Sequence, residues 1–331
     1  MSTTDDSAVH ISGLVADVEA ALRSRLPKDN SFDEGARQAV LAKSAKRARP
    51  ELAALCLCLD ASWLGARPTL ITALAAVELI HGASLLHDDV LDRADTRRGL
   101  PSARAQYGDV RAVLLGDYLL TRVVSWLLPE SPTFLRHAVD VIEELTRAVY
   151  TELGARGGPL MSVQDWMHMA EGKSGALFGL AARAPAVVAG AMPAGARLDV
   201  FGRQLGLAFQ IADDVLDLVE GMGEQAYADL HEGNPSLPCI LAALRHPPLV
   251  VAFDEVRRGA APAAPVAAEV LRLALRPSLA HFDAAITRAR AALLDEECEA
   301  LNLAFILVER WRAQLVVLFP KPMPQRDAVS R

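Results

Sequence analysis

The sequence predicts an all-α protein: a single-domain bundle of about ten or more helices around a central cavity. Three observations carry that expectation. Hydrophobic residues make up 52% of the 331 residues but aromatics only 5%, so the apolar mass is mostly alanine and leucine, both good helix formers. No β-branched run alternates with polar residues as a half-buried strand requires. Helical periodicity runs from near Ile11 to about Phe319, interrupted only by short stretches rich in glycine and proline.

Those interruptions set the elements in order. Residues 1–10, polar and acidic, are read as a disordered N-terminus. Breaks then fall at Pro27–Asn30, Gly65–Pro68, Gly99–Pro101, Pro129–Pro132, Gly154–Pro159 and Gly190–Gly195, and further on at Gly221–Gly223, Gly233–Pro238, Pro247–Pro248 and Gly259–Pro265. Most have the turn chemistry and length of helix–helix connections. The low-complexity stretch Gly259–Ala268 reads as a surface loop rather than a domain linker. One domain therefore spans 11–319, and residues 320–331, with prolines that cannot continue a helix, form a loose tail.

Composition also excludes function classes. The net charge is −7 with no basic block, which argues against a nucleic-acid partner. Cys56, Cys58, Cys239 and Cys298 show no CxxC spacing and read as reduced thiols of a cytoplasmic protein. The uncharged stretches fall short of the ~18 apolar residues of a membrane span. No signal peptide is visible at the polar start.

The five residues DDVLD occur twice, at Asp88–Asp92 and Asp213–Asp217, each inside an apolar segment. A single such motif is more often a solvated acidic stripe of a helix. Two identical copies with apolar flanks are different, because burying an unpaired carboxylate costs several kcal/mol, so each cluster requires a cationic partner. On a helix the first and fifth positions lie on one face, about one turn apart. Mg2+ favours such oxygen ligands and keeps water and phosphate oxygens in its shell. Asp88, Asp89, Asp92, Asp213, Asp214 and Asp217 are thus candidate metal ligands around a diphosphate. Cations stand near them: Lys46, Arg47 and Arg49 in AKRARP, Arg97 and Arg98 after the first motif, and Lys173 with Ser174 in EGKSGALF. Each alone reads as a solvated helix end; together they suit phosphate oxygens. His81, two turns before Asp88, can hydrogen-bond a phosphate, and His87 has no assigned role.

AKRARP, ELIHGASLLHDDVLDRADTRRG, GKSGALF, GLAFQIADDVLDL and DLHEGNPSLP, in that order, resemble the motif set of the trans-isoprenyl diphosphate synthases, or polyprenyl synthetases. The resemblance runs from about Lys46 to Arg310. It implies an all-α isoprenoid synthase fold, usually a homodimer. It implies Mg2+-dependent condensation of isopentenyl diphosphate with an allylic diphosphate, with no nucleophile or triad. By position, Asp88 and Asp92 resemble ligands of two Mg2+ ions and Asp213 that of a third, with Asp89, Asp214 and Asp217 supporting them. Lys46, Arg49, His81 and Arg98 match the isopentenyl diphosphate site. Arg97, Lys173 and Ser174 match the allylic site, and Phe209 with Gln210 matches the pair at the reacting allylic end. Catalytic roles accordingly fall to Asp88, Asp92, Asp213, Lys173 and Gln210.

The chain departs from the family pattern after the second motif. Lysines are usual where it has Glu224 and Asn234. Ala83 and Ser84, five and four residues before Asp88, occupy the positions where the resemblance implies that bulky aromatics stop growth at fifteen carbons. Small residues there predict a product of twenty carbons or more. Two other functions fit the same motifs. A terpene cyclase-like lyase would not need the isopentenyl diphosphate set Lys46, Arg49 and Arg98, and a non-catalytic subunit of a heteromeric synthase would not need all six aspartates.

Overall fold

The computed structural model describes residues 3–42, 47–97, 99–219, 226–295, 297 and 301–318. Helices α1 (Thr3–Arg25), α2 (Ser31–Leu41), α3 (Ala48–Leu57) and α4 (Arg67–Leu91) come first, with a 3₁₀ turn before α4. A minimal antiparallel hairpin, β1 (Thr96–Arg97) and β2 (Leu100–Pro101), follows the first acidic motif. Then come α5 (Ala103–Tyr107), α6 (Asp109–Glu130), α7 (Pro132–Ala155), α8 (Val163–Ala170), a π-helical turn (Glu171–Gly175) and α9 (Ala176–Val188). The chain continues through α10 (Met192–Asp217), α11 (Ala228–Glu232), α12 (Leu237–Arg245), α13 (Leu249–Arg257), α14 (Ala263–Ala291) and α15 (Asn302–Val317). The all-α expectation holds.

Two boundaries differ from expectation. Helix α1 starts at Thr3 instead of near Ile11. Helix α14 starts at Ala263, inside the stretch read as a loop. Its Pro265 falls in the first helical turn, where a missing N–H costs nothing. The tail from Phe319 lies outside the described residues.

Helix α9 forms the hub. It is buried nearly all round, as expected of a helix apolar on every face, and it packs on α3, α4, α7 and α10. Glycines allow its close approach to α10. A Cβ on Gly202 would lie 2.5 Å from the Phe178 carbonyl, and one on Gly206 would lie 2.7 Å from Gly175 Cα. These contacts clamp α10, which carries the second DDVLD motif, against the turn that carries Lys173. Gly206→Ala is therefore expected to destabilise the fold by about 1–3 kcal/mol through overpacking, read as a lower Tm in thermal unfolding.

Helix α4, carrying the first motif, packs along α6 and against α9. Its interior is held by a buried ion pair of Glu78 with Arg47, whose guanidinium also donates to the Val40 carbonyl at 2.8 Å. Arg47 thus turns inward, from a left-handed backbone position before α3 (φ 51°).

Two segments, Ala61–Leu91 and Asp109–Glu130, are long and apolar enough to cross a membrane by length and hydropathy, which the sequence reading did not anticipate. The first is core, with 72% of its most apolar 18-residue stretch buried; only 39% of the corresponding stretch of the second is. Helix α6 is apolar on both faces: Leu115, Leu119, Val123 and Leu127 pack inward, whereas Val110, Leu114, Val124 and Leu128 are exposed.

Candidate active site

The two acidic motifs open onto one cavity of about 830 Å³, lined from α4 by Asp88 and Asp92 and from α10 by Asp213, Asp214 and Asp217. Asp92 closes α4, its N–H bonded to the Asp88 carbonyl at 2.8 Å, so the two carboxylates stay one turn apart. Arg97, Lys173, Phe209 and Gln210 line the same cavity.

Asp89 does not. One residue on from Asp88 it points about 100° around the helix, is buried, and takes Arg97 onto Oδ1 through Nε (2.8 Å) and Nη2 (2.7 Å). That pair ties the hairpin to α4 and separates the main cavity from a smaller one of about 440 Å³ between α2, α4 and α5.

The second motif divides its labour. Asp214 is buried; Gln210 Nε2 donates to its Oδ1 at 2.8 Å and the Leu237 N–H to its Oδ2 at 2.9 Å. Burial pushes its carboxyl up to about 7 against those two hydrogen bonds. Asp217 accepts the N–H groups of Ala228 (3.0 Å) and Asp229 (3.1 Å), anchoring α11. Both therefore shape the cavity wall. Ser174 completes a relay, its hydroxyl donating to Gln210 Oε1 at 2.5 Å.

The π-helical turn inserts a residue into the α8–α9 run, a device common at functional sites. Lys173 on that turn donates to Glu152 Oε2 of α7 at 2.5 Å. Burial would lower the pKa of the Lys173 ammonium, but Glu152 and Asp88 outweigh it and raise it. Desolvation pushes Asp88 up to about 6, opposed by Lys173 and aided by Asp92. Asp229 is raised well above the usual carboxylate range by burial and by its neighbours Asp214 and Asp217.

Glu152, Asp229, Glu232 and Arg156 are site residues that motif reading missed. Glu152, Asp229 and Glu232 line the cavity, and Arg156 donates to Asp92 Oδ1 at 2.7 Å. Arg49 lies 5.0 Å over the ring of Phe178, which stacks at 5.7 Å on Phe209. Arg49, His81, Arg156 and Ser174 are not among the described residues lining the cavity; Arg156 stands behind its wall residue Asp92. His87 faces α6, with Nε2 3.2 Å from the Val113 carbonyl and its ring over Gly116. Ala83 is buried, and Ser84 hydrogen-bonds back to the His81 carbonyl at 2.9 Å. Lys46, Arg98 and Glu224 lie outside the described residues.

The donor set fits Mg2+. All the clustered acids are hard oxygen donors, and burial raises Asp88, Asp214, Asp217 and Asp229 together. The cavity crowds more carboxyl groups than Arg93, Arg97 and Lys173 can match, so a bound cation favours their ionised form. Among the described residues no three acids converge tightly enough to cage a bare ion. Mg2+ needs no such cage, because it binds through one or two carboxylates and completes its shell with water and phosphate oxygens.

A helical bundle with two aspartate motifs facing across a cavity defines an isoprenoid synthase-type architecture. The model of the polyprenyl synthetase family matches residues 34–253. An octaprenyl diphosphate synthase of Haemophilus influenzae is 40% identical over 181 residues, 53% of this chain and 55% of that protein. That of Escherichia coli is 33% identical over 244 residues, 70% of this chain and 72% of that protein. Among solved structures, a polyprenyl synthase from Caulobacter crescentus complexed with calcium and isoprenyl diphosphate superposes with a TM-score of 0.79, at 26% identity, covering 90% of this chain and 95% of that one. The chain belongs to the polyprenyl synthetase family of trans-prenyltransferases.

Proposed function

We propose that this protein is an Mg2+-dependent synthase. It condenses isopentenyl diphosphate with an allylic diphosphate to give a trans-polyprenyl diphosphate of twenty carbons or more. The observation that carries the reading is the meeting of both DDVLD motifs and Lys173 on one 830 Å³ cavity. Asp88, Asp92 and Asp213 are the proposed ligands of three Mg2+ ions. When bound, the metal stabilises negative charge developing on the departing diphosphate. Lys173, already cationic and held by Glu152, adds its charge to the same oxygens. Gln210, fixed between Ser174 and Asp214, presents a rigid amide beside the ring of Phe209. The Phe209–Phe178 pair offers the aromatic faces that favour a carbocation. Lys46, Arg49, His81 and Arg98 are assigned to isopentenyl diphosphate.

The exposed apolar face of α6, with Val110 at 75% and Leu114 at 52% exposure, supports a homodimer built on that helix. The free Cys56, Cys58 and Cys239 suit a reducing cytoplasm.

The test is incubation with Mg2+, isopentenyl diphosphate and dimethylallyl, geranyl or farnesyl diphosphate in turn, with products separated by chain length. Elongated diphosphates are expected. Cyclic hydrocarbons would establish a lyase instead, and silence relieved only by a second subunit would establish a heteromeric partner.

A further inference from the structure

We infer that Arg156 is a diphosphate-binding residue of this cavity, docked on Asp92 until substrate arrives. The inference rests on the proposed reading of the cavity as a prenyl diphosphate site. Arg156 ends α7 and reaches across the cavity rim to the end of α4. Its Nη2 donates to Asp92 Oδ1 at 2.7 Å and its Nη1 to the Leu91 carbonyl at 3.3 Å. The pair is partly desolvated, with side chains 20% and 28% exposed, so it outweighs a loose surface contact. The contact uses Oδ1 and leaves the other oxygen of Asp92 to a cation.

One further feature separates Arg156 from an ordinary helix-end arginine: its segment is pinned. Gly157, at φ 65°, donates its N–H to the Gly233 carbonyl at 2.9 Å, and a Cβ on it would come within 2.8 Å of Arg257. That bond sets Arg156 beside the end of α11, where Asn234 Nδ2 donates to Glu232 Oε2 at 2.8 Å and Asp229 Oδ1 at 3.3 Å. Arg156 therefore stands on the rim shared by the α4 and α11 carboxylates. Its planar fork matches phosphate oxygens there.

The experiment is calorimetric titration of inorganic diphosphate, in Mg2+, into the wild type, R156Q, R156K and the R156Q/N234K double variant. R156Q is expected to weaken binding at least about tenfold, as loss of a charge-assisted contact predicts. R156K keeps charge without the fork and falls between. The double variant, with a lysine on the same rim, recovers most of the loss. Unchanged affinity in R156Q, or in R156K should R156Q not fold, overturns the inference. So does a loss in R156Q that the double variant leaves uncorrected, because the residue then acts through local structure. Wild type that binds no diphosphate overturns this inference and the proposed function together. Diphosphate binding that depends on Arg156, without condensation of any allylic substrate, overturns the proposed function alone.

Discussion

Asp88→Ala and Asp213→Ala are each expected to cut turnover on the order of a hundredfold to a thousandfold, the scale on which a single electrostatic stabiliser of developing charge acts. The fold should survive. Both residues sit in a cavity with excess carboxylate, where desolvation and Asp92 already raise Asp88 to about 6. Removing one acid relieves repulsion and leaves the helix packing untouched. Circular dichroism should show an unchanged helical signal and a Tm equal to or above that of the metal-free wild type. Steady-state rates across a Mg2+ titration check the chemistry. Near-wild-type activity at limiting Mg2+ in either variant would show that the metal assignment is mistaken.

Ser84→Phe is expected to shorten the main product. Ser84 lies one turn from Asp88 on α4, half-buried, with its hydroxyl occupied only by the backbone of its own helix. On the proposed reading, a ring there extends into the space a growing chain uses. Ala83→Phe should shorten the product too but lose stability, because Ala83 is buried beside Gly82, whose own Cβ would meet Val40 at 2.8 Å and Leu119 at 3.4 Å. Overpacking of that kind costs about 1–3 kcal/mol. Product chain length by mass spectrometry and Tm by calorimetry separate the two effects. Wild-type protein releasing only ten- or fifteen-carbon diphosphates in excess isopentenyl diphosphate would refute the open passage.

The sequence made the scaffold of this site legible and left its wiring hidden. Two identical aspartate motifs in apolar, alanine- and leucine-rich segments were enough to expect two helices facing one cavity, because burial and a 3.6-residue period leave few alternatives. The turn of Asp89 away from Asp88 follows from the same period, yet its pairing with Arg97 depends on a two-residue hairpin too short to carry a pattern. Arg47 and Arg49 look alike in AKRARP; a left-handed residue at 47 and a glutamate 31 positions on send Arg47 into the core. Arg156 meets Asp92 across 64 residues, and no local signal encodes that. Helix α14 begins inside the alanine- and proline-rich stretch that reads as a surface loop, because Pro265 falls in its first turn, where proline is tolerated.

The most direct test of the central claim, that the two motifs act jointly through bound metal on a diphosphate, is calorimetric titration with an unreactive allylic thiodiphosphate, in Mg2+ and again in EDTA. The account predicts binding in Mg2+ that disappears in EDTA and is lost in Asp88→Ala and Asp213→Ala alike. Equal affinity with and without metal, or dependence on only one of the two motifs, would contradict it.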